Sequence, residues 1–210
     1  MLLTDDDFSQ MEQRYRARFI NSLSGYKSAN LIGSVSAQGI HNLCIVSSIV
    51  HLGADPALLG VIFRPHTVTR DTIENIQQTG FFSVNHVNPQ ILEAAHQTSA
   101  RYEADVSEFD AVGLTPFNSE HHVAPYVKES AINIGVALRE QHTITLNNTV
   151  MVIGEIIEVI LPQQSLRDDG SVAINTLETI AVAGLDDYHL GQPVKRLSYA
   201  KVGQKPSVID

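Results

Sequence analysis

Between residues 31 and 63 the chain contains three short apolar segments in close succession, and this spacing limits the fold more than any other feature. The segments comprise residues 31–37, 42–50 and 58–63. They are separated by Gly39, Gly53 and Pro56, and short apolar runs bounded by glycine or proline are typical of β-strands. Linkers this short cannot hold a crossover helix, which favours antiparallel neighbours over a doubly wound parallel sheet.

An amphipathic helix is predicted at the N-terminus. Thr4 and Asp7 have the spacing of an N-cap pair, and the pattern ends near Gly25. The apolar stripe of this helix consists of Phe8, Met11, Tyr15 and Phe19. We therefore expect one helix to account for most of residues 1–25.

Later segments alternate between helical and strand patterns. Thr69 and Gly80 suit the start and the end of one helix, and Asn88 followed by Pro89 suits the start of another. The predicted helices cover residues 69–80 and 90–97, and the predicted strands cover residues 81–87, 131–138 and 150–161. Residues 99–125 are expected to be irregular, and the tail after Tyr199 to be a loose extension or a dimer arm.

Strands outnumber helices in this assignment, and the loops between neighbouring strands are short. We therefore predict a mostly β fold with flanking helices, in which an antiparallel sheet forms a closed or partly closed barrel. A chain of 210 residues with 43% hydrophobic residues can bury one good core. One domain covering residues 1–210 is the expectation, since no repeat or low-complexity stretch interrupts the pattern.

Composition argues against several classes of partner. The formal net charge is −9 and lysines and arginines are not clustered, which disfavours nucleic-acid binding. No apolar run approaches the roughly 18 residues of a membrane span, and the acidic start at residues 1–7 is unlike a signal peptide. The single cysteine, Cys44, cannot form an internal disulfide, so we expect a cytoplasmic protein without a membrane partner.

The glycine spacing excludes two nucleotide-binding motifs. No two glycines lie closer than six positions, so neither the G-x-G-x-x-G fingerprint nor the Walker A loop is present. The chain also has no G-x-S-x-G elbow and no H-E-x-x-H motif. Its nine histidines are scattered, and we predict no metal site.

Hydroxyl and guanidinium groups concentrate between residues 44 and 70. Ser47 and Ser48 lie in an apolar segment, where they either bond the backbone of a twisted strand or face a ligand. The following segment contains Arg64, Thr67, Thr69 and Arg70 just before a predicted helix start. Backbone N–H groups at a helix start attract anions, so this segment suits a phosphate monoester. Alternatively, it is a solvated turn whose arginines pair with nearby carboxylates such as Asp71 and Glu74.

The sequence resembles the flavin reductase-like family, whose fold is the FMN-binding split β-barrel. The resemblance covers residues 29–200 and is clearest in the stretch HNLCIVSSIVHLGADPALLGVIFRPHTVTRDTIENIQQTGFFSVNHV. Further matches follow in order: Ser99 with Tyr102, DVSEFDAVGLT at 105–115, APYVKESAI at 124–132, His142, VIGEIIEVI at 152–160 and GLDDYH at 184–189. Residues 1–25 and 201–210 are then an N-terminal helix and a tail flanking the barrel.

The resemblance implies an FMN-binding oxidoreductase that acts as a homodimer, with the cofactor at the subunit interface. It also implies reduction of flavin, or of another small electron acceptor, by hydride transfer from NADH or NADPH. Hydride transfer to flavin needs no protein nucleophile, so the missing catalytic motifs do not conflict with this activity. The alternatives are a non-catalytic or electron-carrying flavoprotein of the same fold, and a barrel without cofactor that serves as an interaction module.

The resemblance also suggests roles for particular residues. The segment of Val46, Ser47, Ser48, Ile49 and Val50 would lie along the flavin ring, and Arg64, Thr67, Thr69 and Arg70 would bind the phosphate. Asn85 is a candidate for the ribityl chain, and Ser99 or Arg101 for the phosphate from beside it. His189 would orient the second substrate or donate a proton. For Cys44 and Tyr102, ordinary packing is the simpler interpretation.

Overall fold

The computed structural model describes residues 1–65 and 71–209. Its strands are β1 Tyr26–Ser28, β2 Asn30–Val35, β3 His41–Val46, β4 Ile49–Ala54, β5 Ala57–Phe63, β6 Phe81–His86, β7 Pro116–Phe117, β8 Tyr126–Val127, β9 Asn133–Ile144, β10 Thr149–Ile160, β11 Ile180–Ala183, β12 Asp187–Leu190, β13 Arg196–Leu197 and β14 Val208–Ile209. Its α-helices are α1 Asp5–Gln10, α2 Gln13–Leu23, α3 Asp71–Thr79, α4 Leu92–Gln97 and α5 Glu108–Val112, and short 3₁₀ turns occupy Pro89–Ile91, Gln163–Ser165 and Ile174–Leu177.

A seven-stranded antiparallel sheet forms the centre of the fold, in the order β3-β2-β6-β9-β10-β5-β4. Its two edge strands, β3 and β4, are consecutive in the chain and are joined only by Ser47 and Ser48. The three Cα steps from Val46 to Ile49 span at most roughly 11 Å, so the sheet curls until its edges approach each other at this link. The predicted split barrel is confirmed, and the split lies between β3 and β4.

The prediction of one strand over residues 42–50 was wrong. β3 pairs with β2 up to Val46, and β4 pairs with β5 from Ile49 onward. Between them the amide of Ile62 donates to the carbonyl of Ser48 at 2.9 Å. Each half of the segment has a different partner strand, so the chain breaks its regular geometry where it changes partner.

Helix α3 packs on the sheet and completes an inner core. Ile73 and Ile76 are buried on its inner side, and Gly80 ends the helix with a φ of +78°, as the sequence predicted. Ile73 and Ile76 pack with apolar residues of β2, β5, β6, β9 and β10, namely Ile32, Val61, Phe63, Phe82, Val84, Val136, Val150 and Val152. A second core lies on the other face of β2 and β3, where α4, α5 and the β1-β11-β12 sheet cover it.

The N-terminal helix is interrupted, contrary to the prediction of one continuous helix. Thr4 does cap α1 with Asp7, since its amide and hydroxyl donate to Asp7 Oδ2 at 2.7 and 2.9 Å. The chain then becomes extended at Met11, and Glu12 starts α2 by accepting from the amides of Arg14 and Tyr15. Neither helix buries a residue, so packing does not hold them in one line.

Two further predictions hold with changed limits. Asn88 caps the turn before α4, and the hairpin of β9 and β10 extends its first strand to Ile144. The segment 99–125 is less irregular than predicted, because it contains α5 and β7. The tail returns on itself, with β13 paired to β14. Across residues 1–65 and 71–209, no helix has the length and apolar character needed to cross a membrane.

Candidate functional site

A cleft of about 1220 Å³ opens at the split in the barrel. The link between the edge strands contributes Val46, Ser47 and Ser48 to its wall. The end of β5, the start of α3 and the loop after α4 supply the adjoining walls, with Arg64, Thr72 and residues 98–104. Ligand pockets in proteins usually measure about 300 to 1,000 Å³, so this cleft is large enough for a ligand of nucleotide size.

The free edge of β3 is closed by side chains at two positions. The amide of Leu43 donates to Glu108 Oε2 at 3.0 Å, and the amide of Ile45 donates to Thr98 Oγ1 at 2.9 Å. Unpaired edge amides are templates for another strand, and here side chains occupy them instead. The edge is therefore stabilised up to the point where the chain reaches Ser47 and Ser48.

A buried polar network lies at the base of the cleft. Asn42 donates its amide to both carboxylate oxygens of Glu108, each at 2.9 Å, and accepts from the Thr72 hydroxyl at 2.7 Å. Ser34 also donates to the Asn42 carbonyl oxygen, at 3.2 Å, and Asn75 donates to Ser34 at 3.1 Å. Burial raises the pKa of Glu108, and the Leu43 amide offsets part of this rise by stabilising the carboxylate.

Two guanidinium groups supply positive charge on the cleft. Arg64 and Arg101 both line it and are exposed. Among residues 1–65 and 71–209 neither forms an ion pair, so the pairing of Arg64 with Asp71 or Glu74 that we considered does not occur there. Arginine forms strong charge-assisted hydrogen bonds to phosphate groups. Both side chains are placed to bind a phosphate group in the cleft.

The N- and C-terminal parts of the chain also line the cleft. Tyr188 of β12 lies there, with its hydroxyl 2.8 Å from His96 Nδ1. Burial raises the pKa of the Tyr188 phenol, and the charge of Asp186 adds to the effect. Asn21 of α2 and Leu185 also line the cleft. This part of the chain therefore contributes the Tyr188 hydroxyl, the His96 imidazole and the apolar side chain of Leu185 to the cleft.

Comparison with known families assigns the chain to one of them. The flavin reductase like domain matches residues 23–178, which include the whole barrel from β2 to β10 and most of the cleft. The chain belongs to the flavin reductase-like family. This family membership supports flavin-related oxidoreduction as the general activity.

Solved structures agree with this assignment. The fold matches a protein from Shewanella frigidimarina NCIMB 400 that is assigned as a flavin reductase with a split barrel domain. The two are 49% identical with a TM-score of 0.92, over 95% of this chain and 100% of the other. Nitrilotriacetate monooxygenase component B from Bacillus cereus shares the fold at 22% identity, with a TM-score of 0.81 over 93% and 98% of the two chains.

A curated relative is more distant. An uncharacterized protein of Aquifex aeolicus strain VF5 is 30% identical over 104 residues, which are 49% of this chain and 53% of that protein. The chain thus spans about half the length of the curated relatives it matches.

Several residues predicted for the flavin reductase-like site lie together on the cleft. They are Val46, Ser47, Ser48, Arg64 and Ser99, with Arg101 and Tyr102 beside them. Ile49 and Val50 do not line it: Ile49 packs against the inner core, and Val50 is 42% exposed. The predicted phosphate residues Thr67, Thr69 and Arg70 lie outside the described residues.

Asn85 does not reach the cleft, contrary to its predicted contact with the ribityl chain. Its side chain is fully buried in β6. The amide group donates to the Leu31 carbonyl at 3.0 Å and to the Ser83 hydroxyl at 2.9 Å, and its oxygen accepts from the Val127 amide at 3.1 Å. These bonds connect neighbouring strands, so Asn85 has a structural role.

His189 is also absent from the cleft of its own chain, contrary to its predicted place beside the second substrate. Side chains alternate along β12, so Tyr188 faces the cleft and His189 lies on the opposite face. There its Nε2 is 3.1 Å from Asp187 Oδ2, and its ring packs edge-on against Tyr26 at 4.9 Å.

Sequence reasoning missed the polar residues that support the cleft. Glu108, Asn42, Thr72, Thr98 and His96 come from five separate elements or loops, and their contacts are long-range. One signal was present in the sequence: Glu108 immediately precedes the apolar Phe109 in a short helix and is buried beside it. A buried carboxylate needs several partners, and this one indicates a local polar network.

Proposed function

We propose that this protein binds FMN in the cleft at the split and reduces it with NADH or NADPH. The observation that carries the proposal is the convergence of Ser47, Ser48 and the exposed guanidinium of Arg64 on one cleft. FMN needs hydrogen-bond donors along the polar edge of its ring and positive charge at its phosphate. The wall at residues 46–48 and the guanidinium groups meet these two needs.

The proposed roles follow from where each residue lies. Val46 provides an apolar wall for the ring, and the Ser47 and Ser48 hydroxyls donate to its polar edge. Arg64 binds the phosphate, with Ser99 and Arg101 beside it on the loop after α4. Thr67, Thr69 and Arg70 stay predictions for the same phosphate.

The remainder of the cleft accommodates the second substrate. Bound flavin would supply the hydride-accepting centre, and the chain contributes positioning and exclusion of water. Tyr188 and His96 also line the cleft, and in this proposal they orient the nicotinamide or another planar partner. The predicted role of His189, to orient the second substrate or donate a proton, remains a proposal only for a site that a second subunit completes.

A cytoplasmic homodimer is the proposed state of the protein. The family resemblance implies a dimer with flavin at the interface, and the single Cys44 suits a reducing compartment.

The direct test of FMN binding uses two ligands that differ only in the phosphate. The wild-type protein should retain FMN after incubation and desalting, and it should bind riboflavin more weakly. Replacing Arg64 by alanine should weaken FMN binding by about 1.5 to 3 kcal/mol and leave riboflavin binding nearly unchanged. Titration by flavin fluorescence measures both affinities, and Arg139→Ala, which removes an exposed arginine of β9 outside the cleft, is the matched control.

A protein that stays colourless after incubation with FMN would disprove the binding proposal. Equal losses of FMN and riboflavin affinity in Arg64→Ala would place the phosphate elsewhere. Oxidation of NADH or NADPH by the FMN-loaded protein then tests the reductase step. Retention of FMN without turnover by either nucleotide would instead favour the electron-carrying alternative.

A further inference from the structure

Glu108 connects two walls of the cleft that are far apart in the sequence. It accepts from Asn42 and Leu43 at the start of β3, the strand that leads to Ser47 and Ser48. Through the Asn42 carbonyl oxygen it is joined to the hydroxyl of Thr72, in the first turn of α3. One carboxylate therefore fixes the position of β3 relative to the start of α3.

The chemistry of the network leaves little freedom. Glu108, Asn42 and Thr72 are 7%, 7% and 6% exposed, so water does not replace a lost partner readily. The Asn42 amide group can donate only to an acceptor, and two carboxylate oxygens at 2.9 Å orient it fully. This orientation turns the Asn42 oxygen toward Thr72 and Ser34, which both donate to it. The polarity of the whole network is thus set by the acceptor at position 108.

We infer that Glu108 is a positioning residue for the flavin site: it holds the ring wall at residues 46–48 in register with the start of α3 without itself binding the ring or the phosphate. The inference rests on the proposed function, because it takes these walls to be the FMN site. Helix α5 then has a role that its surface position does not suggest. Helix α5 lies outside the barrel and supplies the Glu108 carboxylate that bonds β3.

The test exchanges the carboxylate and the amide group between positions 108 and 42. In Glu108→Gln the side-chain oxygen can stay where it accepts from Leu43, and the new amide nitrogen then replaces the other acceptor of the Asn42 amide group. Two donors meet at that contact, which weakens the hold on the orientation of Asn42. The double variant Asn42→Asp/Glu108→Gln moves the carboxylate to position 42, where it can accept from the introduced glutamine amide and from the hydroxyls of Thr72 and Ser34. We expect the single variant to lose FMN affinity on the order of tenfold or more, and the double variant to recover most of it.

Asp110→Asn is the matched control, because Asp110 is an exposed carboxylate on the same helix. It should bind FMN like the wild type. Failure of the double variant to regain affinity, or wild-type affinity in Glu108→Gln, would overturn the inference. If Glu108→Gln does not fold, Thr72→Val removes the other end of the network at nearly constant volume, and its unchanged FMN affinity would overturn the inference as well.

Hydrogen exchange without added flavin separates this inference from the proposed function. In Glu108→Gln, amides of both β3 and the first turn of α3 should exchange faster than in the wild type, and the double variant should reverse both changes. Faster exchange in only one of the two elements would contradict the coupling. A wild-type protein that binds no FMN would disprove the proposed function, whereas the exchange result would still decide whether Glu108 joins the two walls.

Discussion

Asn85 and Glu108 are both buried polar residues, yet only Glu108 borders the cleft. The difference lies in their partners. Asn85 bonds residues of the strands beside it, whereas Glu108 reaches from a helix to the edge of the sheet. From sequence alone both are polar residues in apolar surroundings, and the choice between a structural and a functional role depends on contacts more than 40 residues away in the chain.

His86 provides a residue-scale prediction about pH and stability. Burial lowers its pKa to about 4, and its Nδ1 lies 3.1 Å from the Thr179 hydroxyl. The unfolded imidazole binds a proton near pH 6.5, so between these values the unfolded state holds more protons than the folded state. The contribution of His86 to stability is therefore complete above pH 6.5 and is lost as the pH falls toward 4.

Urea unfolding at pH 7 and pH 4.5 measures this effect. We expect His86→Gln to lose less stability between the two pH values than the wild type does, by on the order of 2 kcal/mol. His121→Gln, which alters an exposed histidine, should behave like the wild type. The same loss in His86→Gln as in the wild type would show that another group is responsible.

At the scale of elements, the sequence predicted the seven strands of the central sheet and every helix except α5, but it missed their interruptions and the short strands outside that sheet. Residues 42–50 are apolar except for Asn42, Ser47 and Ser48, and no glycine or proline marks an end between β3 and β4. The break at Ser47 and Ser48 arises because the two halves pair with different strands. The break between α1 and α2 was missed for a related reason, since the apolar stripe continues through Met11 although the backbone does not.

Gly154 provides a prediction for the pairing of β9 and β10. The register shifts beside it, and a Cβ at this position would collide with Val136 and come within 3.0 Å of Phe82. Both neighbours are fully buried in the inner core and cannot move freely. Gly154→Ala should therefore lower the free energy of unfolding by about 1 to 3 kcal/mol.

Chemical denaturation checks this value against a matched glycine. Gly191 has no atom within 4 Å of the position of an added Cβ, and its φ lies outside the left-handed region. Gly191→Ala should change stability by only a few tenths of a kcal/mol. A Gly154→Ala variant as stable as Gly191→Ala would mean that β10 shifts to accommodate the methyl group.

At the scale of the whole molecule, the central sheet exposes apolar side chains on its edge strand β4 and on β10. Val50 and Leu52 of the edge strand β4 are each 42% exposed, and Ile157 and Val159 of β10 are 43% and 48% exposed. Apolar residues on an edge strand favour association with another chain. This distribution supports the proposed homodimer.

Light scattering after size-exclusion chromatography tests the assembly. The protein should elute with about twice its chain mass of 23.0 kDa at micromolar concentration. Leu52→Glu, which places a charge on the exposed face of β4, should shift the equilibrium toward the monomer. A monomeric wild-type protein would contradict the proposed dimer, and a dimer unaffected by Leu52→Glu would place its interface elsewhere.

The sequence alone determined the strands of the central sheet, the helices other than α5, the antiparallel mostly β fold, the resemblance to flavin reductases and the placement of serines and arginines between residues 44 and 70. These features depend on periodicity, turn residues and local spacing, which a linear chain displays directly. The tertiary structure decided that Ser47 and Ser48 form the link across the split, that Asn85 and His189 face away from the cleft, and that Glu108 connects β3 to α3. Those outcomes depend on which strands become neighbours and how far the sheet curls, and both follow from long-range packing of the whole chain.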